Sequence, residues 1–405
     1  MPMNKIIQRM HATYQQMVLK STADLILMAS LAFLIISGVV LAVYSNYGGD
    51  NDAYYMIHTF SNLLNGSGYS PSRFTGYPVA EIGIGFIAFY FGSWLNNLVS
   101  FIFLLASLVL IYKSFVKNNF DKGFLIFLIL CLSNPVLFFD NIAPMDYAWA
   151  LLFFSLGIFF LKKQDFIFSI LFFGVSIGSR PNFLIFCLVA ILFFKHEIPI
   201  SKHLKFSMVV VTTFIGALFY LPIWFNSGFG LDWVTAVRPI NQGYLFLVGR
   251  FFGKTWMAFG LLALPLSIYL IVKYFEKLQN QLNLRLLTLL IFSNLLIYLS
   301  IPADRSYLQL SLILFFLLLT CSPLRCLVVI VLLNIMSWFV LINPLSLTFK
   351  SNKLCDPIEV VTATFDPSLQ KGELFIFLEG QNKSVCYQDS VKGRAKELNS
   401  GSKLK

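Results

Sequence analysis

The sequence predicts an all-α polytopic membrane protein, with about eleven transmembrane helices and a small polar tail. Three observations carry this. Hydrophobic residues make up 58% of the 405 and charged residues only 12%, where a soluble domain carries roughly 25% charged. Apolar runs of about 15–20 residues recur, each closed by charged or turn-forming residues, as in spanning helices. The alternating segments of roughly ten residues that mark a membrane β-barrel are absent.

The net charge of +11 does not point to nucleic acid, because the basic residues fall in short loops between apolar runs, where they orient helices. The first run, 23–43, follows Lys5, Arg9 and Lys20. It is too long for a signal-peptide core and no small-residue cleavage site follows, so it reads as a retained first helix. Further crossings are expected at 96–113, 123–139, 147–161, 166–178, 182–194, 206–225, 255–273, 286–300, 307–320 and 327–343. The stretch 79–93 is also apolar, but it holds Glu81 and three glycines, and it reads as a re-entrant or interfacial segment.

This threading puts fifteen Lys/Arg on the side of the N-terminus. Six lie opposite it before the tail: Arg73, Arg180, Arg238, Arg250, Lys254 and Arg305. The bias sets the N-terminus in the cytoplasm. Twelve of the fifteen inside are Lys, whereas five of the six outside are Arg. Topology needs only charge, but gripping phosphate or carboxylate bidentately needs a guanidinium fork. The outer face is therefore chemically specialised.

Two outer loops are long, 44–79 and 226–254, and long loops in compact proteins are usually functional. The runs 166–178 and 182–194 pivot on Ser179-Arg180-Pro181-Asn182. Helices of about a dozen residues cannot cross roughly 30 Å of hydrocarbon. The pivot must lie below the outer surface in a hydrated cavity, which puts a charge at depth, where charges mark sites or pathways. After about residue 344 the chain turns polar. Strand-like segments at 359–365 and 373–378 suggest a small outer α/β or β tail domain over 344–405, following a transmembrane module over 1–343.

Candidate chemistry lies on the outer side. Asp50 and Asp52 follow the first helix, one residue apart, as a general base or a pair of cation ligands would; they also read as ordinary loop acids. Asn65-Gly66-Ser67-Gly68-Tyr69 and Ser72-Arg73-Phe74-Thr75-Gly76-Tyr77-Pro78 offer the aromatic and small polar groups that suit a sugar face. Asp140 and Asp146 flank the next outer loop. Asp304-Arg305-Ser306-Tyr307 opens a late crossing with an acid–base pair. Cys131, Cys187, Cys321 and Cys326 read as packing residues, while Cys355 and Cys386 fall in the tail. An outer tail would make those two a disulfide, since such bonds persist outside the cytoplasm.

The ordered set Asp52-Ala53-Tyr54, Asn62-Leu63-Leu64-Asn65-Gly66-Ser67-Gly68-Tyr69, Gly76-Tyr77-Pro78, Met145-Asp146, Arg180-Pro181 and Arg305-Ser306-Tyr307 resembles the C-type fold of integral-membrane glycosyltransferases, the GT-C superfamily. The likeness runs from residue 24 to about 320. It implies a polyprenyl-phosphate-linked sugar donor, a lipid, glycan or protein acceptor, and a place in the bacterial inner membrane among cell-envelope enzymes. By position Asp52 would be the base and Asp50 its assistant or a metal ligand. Arg180 and Arg305 would hold the phosphate, with Asp146, Arg73, Tyr77 and Tyr307 binding substrate. Asn51 stands where some members carry an acid, and Asp146 where Glu is commoner. A divalent cation, Mg or Mn, is therefore compatible with the sequence but not required by it. Two other classes stay open. A polysaccharide polymerase or ligase would make Arg238 and Arg250 central and Asp52 dispensable. A lipid-linked-sugar transporter would show inverted repeats and broken helices, and no clear repeat is visible.

Overall fold

The computed structural model describes residues 3–47, 51–73, 76–116, 122–195, 201–227, 244–300, 305–342, 358–366 and 373–380. Most of these residues are helical. Among them, two helical segments are long and apolar enough to cross a membrane, Asp24–Tyr44 and Ser93–Phe115. A third is added if Phe251–Phe259 and Ala263–Lys273, bent by 79°, form one span. Shorter apolar helices make up the remainder. Large apolar side chains stand exposed along them, among them Phe33, Ile167, Phe214, Val272 and Met336. An exposed apolar rim around a packed interior is the surface of a helical membrane protein.

The first element is α1 (Met3–Tyr44). The loop after it is partly helical, which its composition did not announce: α2 covers Asn51–Leu64. The 79–93 stretch folds as α3 (Pro78–Phe91), begun by Pro78 at its first position. At 14 residues it is about 21 Å long, short of a full crossing. Gly92, with φ of 84°, turns the chain directly into α4 (Ser93–Phe115).

Several runs that read as single crossings are divided. The 123–139 run becomes α5 (Lys122–Ser133) and α6 (Pro135–Asp140). The break is Asn134, whose side chain accepts from the N–H groups of Val136 and Leu137 and caps α6. Next come α7 (Asp146–Lys162), α8 (Phe166–Ser179) and α9 (Phe183–Phe193). The 206–225 run becomes α10 (Lys202–Leu218) and α11 (Leu221–Ser227). After α12 (Tyr244–Phe259), Gly260 at φ 90° supplies the bend into α13 (Ala263–Lys273). A short helix, α14 (Phe275–Gln281), leads to α15 (Leu284–Ser300). A 3-10 turn, Arg305–Leu308, opens α16 (Gln309–Leu319), and α17 (Leu324–Met336) follows.

The last expected crossing, 327–343, is too long by several residues. Helix α17 stops at Met336 and the chain becomes extended as β1 (Val340–Ile342). This strand pairs antiparallel with β2 (Ile358–Asp366), which pairs antiparallel with β3 (Glu373–Gly380). The register sets Val340 opposite Val360 and Val361 opposite Leu378. Cys355 and Cys386 lie outside the described residues.

Close helix packing uses glycine. A Cβ at Gly157 of α7 would strike the Phe173 ring of α8, and one at Gly216 of α10 would strike Ile177. Where lipid offers no hydrophobic drive between helices, such contacts and buried hydroxyl bonds hold them together. Ser169 and Ser176 of α8 donate to the Gly157 and Ala150 carbonyls of α7 at 3.0 and 2.8 Å. The site stands on this closely packed α7–α8 pair.

Candidate functional site

Residues from four separate parts of the chain meet at one end of α7. Asp146 is the first residue of α7 and fully buried. A carboxylate there faces the positive end of the helix. Arg180 caps the C-terminus of α8 in the pivot before α9, and it too is buried. Its Nη1 donates to Asp146 Oδ2, and its Nη2 donates to the Tyr147 hydroxyl at 2.9 Å. Its guanidinium carbon lies 3.6 Å from the Tyr147 ring centre and 4.3 Å from that of Tyr307. Inside the protein Arg180 thus meets a counter-ion and the faces of Tyr147 and Tyr307, the usual terms on which a buried guanidinium is kept charged.

Arg73 links this buried pair to Asp52 at the start of α2. Its Nη2 donates to Asp146 Oδ1 at 2.7 Å and its Nη1 to Asp52 Oδ2 at 2.8 Å. Its guanidinium also lies 4.3 Å from the Tyr77 ring centre. The result is one chain of charges, Asp52–Arg73–Asp146–Arg180, with two acids and two bases. Exposure grades along it. The Asp146 and Arg180 side chains are 0% and 2% exposed, while Arg73 and Asp52 are 19% and 33% exposed. Burial opposes the Arg73 charge, but Asp146, Tyr77 and Asp52 outweigh it and hold its proton more tightly than usual.

The loop that presents Arg73 is fixed by a residue that motif reading passed over. Glu81, in the first turn of α3, is fully buried. Its carboxylate accepts from the Tyr69 hydroxyl, from the Ser72 hydroxyl, and from the Ser72 N–H at 2.9 Å. Burial and the neighbouring carboxylate make the Tyr69 proton harder to lose than usual. A lone acid inside an apolar helix was the available signal, since such acids are costly unless partnered. Tyr147 was also passed over, although it lies beside Asp146 in sequence.

The remaining candidates fall around this centre. Tyr77 stands at the N-terminus of α3 and Tyr307 in the 3-10 turn. The Asn294 side chain donates to the Tyr307 carbonyl at 3.0 Å and holds that turn in place. Arg305 begins the same turn, and its side chain lies outside the described atoms. Asp50 lies outside the described residues. Among those described, no three His, Cys, Asp or Glu side chains gather as metal ligands. Between Asp52 and Asp146, where a cation could bridge, the bridging cation is Arg73.

Chemically, the arrangement offers a solvent-reachable carboxylate beside a fixed guanidinium, above a buried ion pair ringed by tyrosines. No family model, curated protein or solved structure matches this chain.

Proposed function

We propose that this chain is an inverting glycosyltransferase of the GT-C type. It crosses the bacterial inner membrane about eleven times, with its N-terminus in the cytoplasm and its tail in the periplasm. It moves a sugar from a polyprenyl-phosphate donor to a lipid, glycan or protein acceptor on the outer face. One observation carries the reading: motifs dispersed along the chain, at Asp52, Tyr77, Asp146, Arg180 and Tyr307, converge on a single cluster with Arg73 at its centre.

In this reading Asp52 takes the proton from the acceptor hydroxyl as its oxygen forms a bond to the anomeric carbon. The bond from that carbon to the phosphate oxygen breaks on the opposite face, so configuration inverts. The electron pair leaves with the polyprenyl phosphate. Guanidinium groups held in a water-poor pocket stabilise this developing anion. Arg73 and Arg305 are the groups assigned to touch it. Arg180, which the resemblance made a phosphate holder, is taken up by Asp146 and the Tyr147 hydroxyl, and in this reading acts from beneath by holding Asp146 and the tyrosine ring contacts in place.

The test is Asp52→Asn, which keeps shape and hydrogen bonding but cannot accept the proton. Sugar transfer should vanish while the protein still folds and binds donor. Transfer near the wild-type rate would sink the assignment and move attention to Arg238 and Arg250, as a polymerase requires. Donor movement across the membrane without any transfer by the wild-type protein would favour the transporter reading.

A further inference from the structure

Resting on the glycosyl-transfer reading, we propose that Arg73 masks the base: it holds Asp52 in the empty protein and is drawn off by the donor's phosphate. Asp52 then loses its bond to Arg73 only when the leaving group is in place. The ligand class is a phosphate anion.

The charge chain is built for one link to open. Its inner link, Asp146 to Arg180, is buried at both ends, and its outer link, Arg73 to Asp52, is the part that solvent reaches. Opening a buried pair strands charges at a cost of several kcal/mol, whereas partly exposed pairs exchange partners readily. A ligand arriving from outside therefore meets the weak link first.

Arg73 is equipped to change partners without moving its backbone. Ser72, the residue before it, is pinned to Glu81 through both its N–H and its hydroxyl. The Arg73 carbonyl accepts from the Gly76 N–H at 2.9 Å. The side chain has long reach from this fixed point. Its Nε is buried with no hydrogen-bond partner, so one donor of the fork is unused. A phosphate oxygen can take the Nη1 donor now given to Asp52, while Nε–H lies on the Nη2 edge. Arg73 would keep its Nη2 bond to Asp146, which Arg180 also neutralises.

A carboxylate held by a guanidinium is a poorer proton acceptor than the same group without it. Masking thus keeps Asp52 from activating water or acceptor before the donor binds. The coupling must also run in reverse, because linkage between two binding events is reciprocal. If phosphate and Asp52 compete for Arg73, removing the Asp52 charge must improve phosphate binding.

The experiment measures equilibrium binding of a long-chain polyprenyl phosphate to the full chain in lipid nanodiscs. The matching polyprenol serves as the blank, and inorganic phosphate as a second probe separates a lipid-borne from a free anion. Asp52→Asn and Asp52→Ser should each bind polyprenyl phosphate about two- to fivefold more tightly than wild type, the range set by a partly exposed ion pair. Arg73→Gln should bind it more weakly, and adding Asp52→Asn to Arg73→Gln should give no gain. Unchanged or weaker binding in both Asp52 variants overturns the proposal, as does a gain that survives Arg73→Gln. The glycosyl-transfer reading fails on a different result, transfer by Asp52→Asn.

Discussion

Asp146 holds two guanidiniums at once, so replacing it with Asn should be among the costliest single changes in the chain. The substitution keeps volume and removes the charge. Arg180 is then left with the Tyr147 hydroxyl at 2.9 Å and the aromatic faces, in a position 2% exposed. Breaking a buried ion pair by removing one partner costs about 3–5 kcal/mol. The aromatic faces and the surviving hydrogen bond argue for the lower end of that range. Arg73 adds little, because it is partly exposed, keeps Asp52 as a partner, and such pairs are worth about 1 kcal/mol or less. The lost favourable charge at the α7 N-terminus adds a few tenths of a kcal/mol, roughly. The expected total is about 3 kcal/mol, or a change of roughly a hundredfold in the unfolding equilibrium.

Equilibrium unfolding of purified protein in mixed micelles, with SDS as the denaturant, reads this directly. A double-variant cycle supplies the sharper result. Once Arg180→Gln has removed the buried cation, Asp146→Asn should cost far less than it does alone. The double variant should therefore be more stable than the sum of the two single losses predicts. Strict additivity, or an Asp146→Asn protein within about 0.5 kcal/mol of wild type, would refute the view that Asp146 and Arg180 form one buried unit.

Other expectations follow from the same geometry. Glu81→Ala should release the 65–73 loop while leaving the bundle folded; faster cleavage there by limited proteolysis, at nearly unchanged melting temperature, checks it, and unchanged cleavage counts against the anchor. Gly157→Ala drives a methyl into the Phe173 ring, and should lower stability by about 1–3 kcal/mol in the same unfolding assay. In the tail, the β2–β3 register sets Glu359 opposite Gly380, bringing together the chain ends that lead to Cys355 and Cys386. Non-reducing mass spectrometry should find these two in one linked peptide, with about 3–4 kcal/mol of stabilisation on the chain-entropy estimate. Free thiols at both positions, with a C-terminal reporter active only in the cytoplasm, would reverse the orientation of the tail.

What the sequence made legible was composition and order. Hydropathy summed over a window registers an apolar run whether it is one straight helix or two bent ones. The breaks at Asn134 and Gly260 therefore went unread, although each has a local cause: a capping side chain in one case and a positive φ in the other. Helix α2 was hidden for the opposite reason. Its residues, Asn51–Leu64, mix polar and aromatic groups and carry the loop motifs that suggested irregular chain. Val340–Ile342 continued an apolar run and looked helical until its pairing with β2 decided otherwise. In the site, Arg180 stood out because a charge between two short helices needs explaining. That Asp146 answers it, and that Arg73 joins both to Asp52, depends on contacts across long stretches of chain that periodicity does not encode.

The burial of Arg180 accounts for the rest of the cluster. Helices α8 and α9 have 14 and 11 residues, hence lengths of about 21 and 16 Å, so neither reaches across roughly 30 Å of hydrocarbon. A guanidinium at their junction is sustained only by a local anion and by donors and rings that replace water. Asp146 supplies the anion because α7 begins beside that junction, and Tyr147 and Tyr307 supply the rings. The pair by itself is neutral and closed. Arg73 and Asp52 extend it outward as a second neutral pair, so the whole chain of four carries no net charge to penalise its burial. The bond most easily given up to an anion is at the open end, where the Arg73–Asp52 pair is partly exposed, and that end carries the carboxylate assigned as the base.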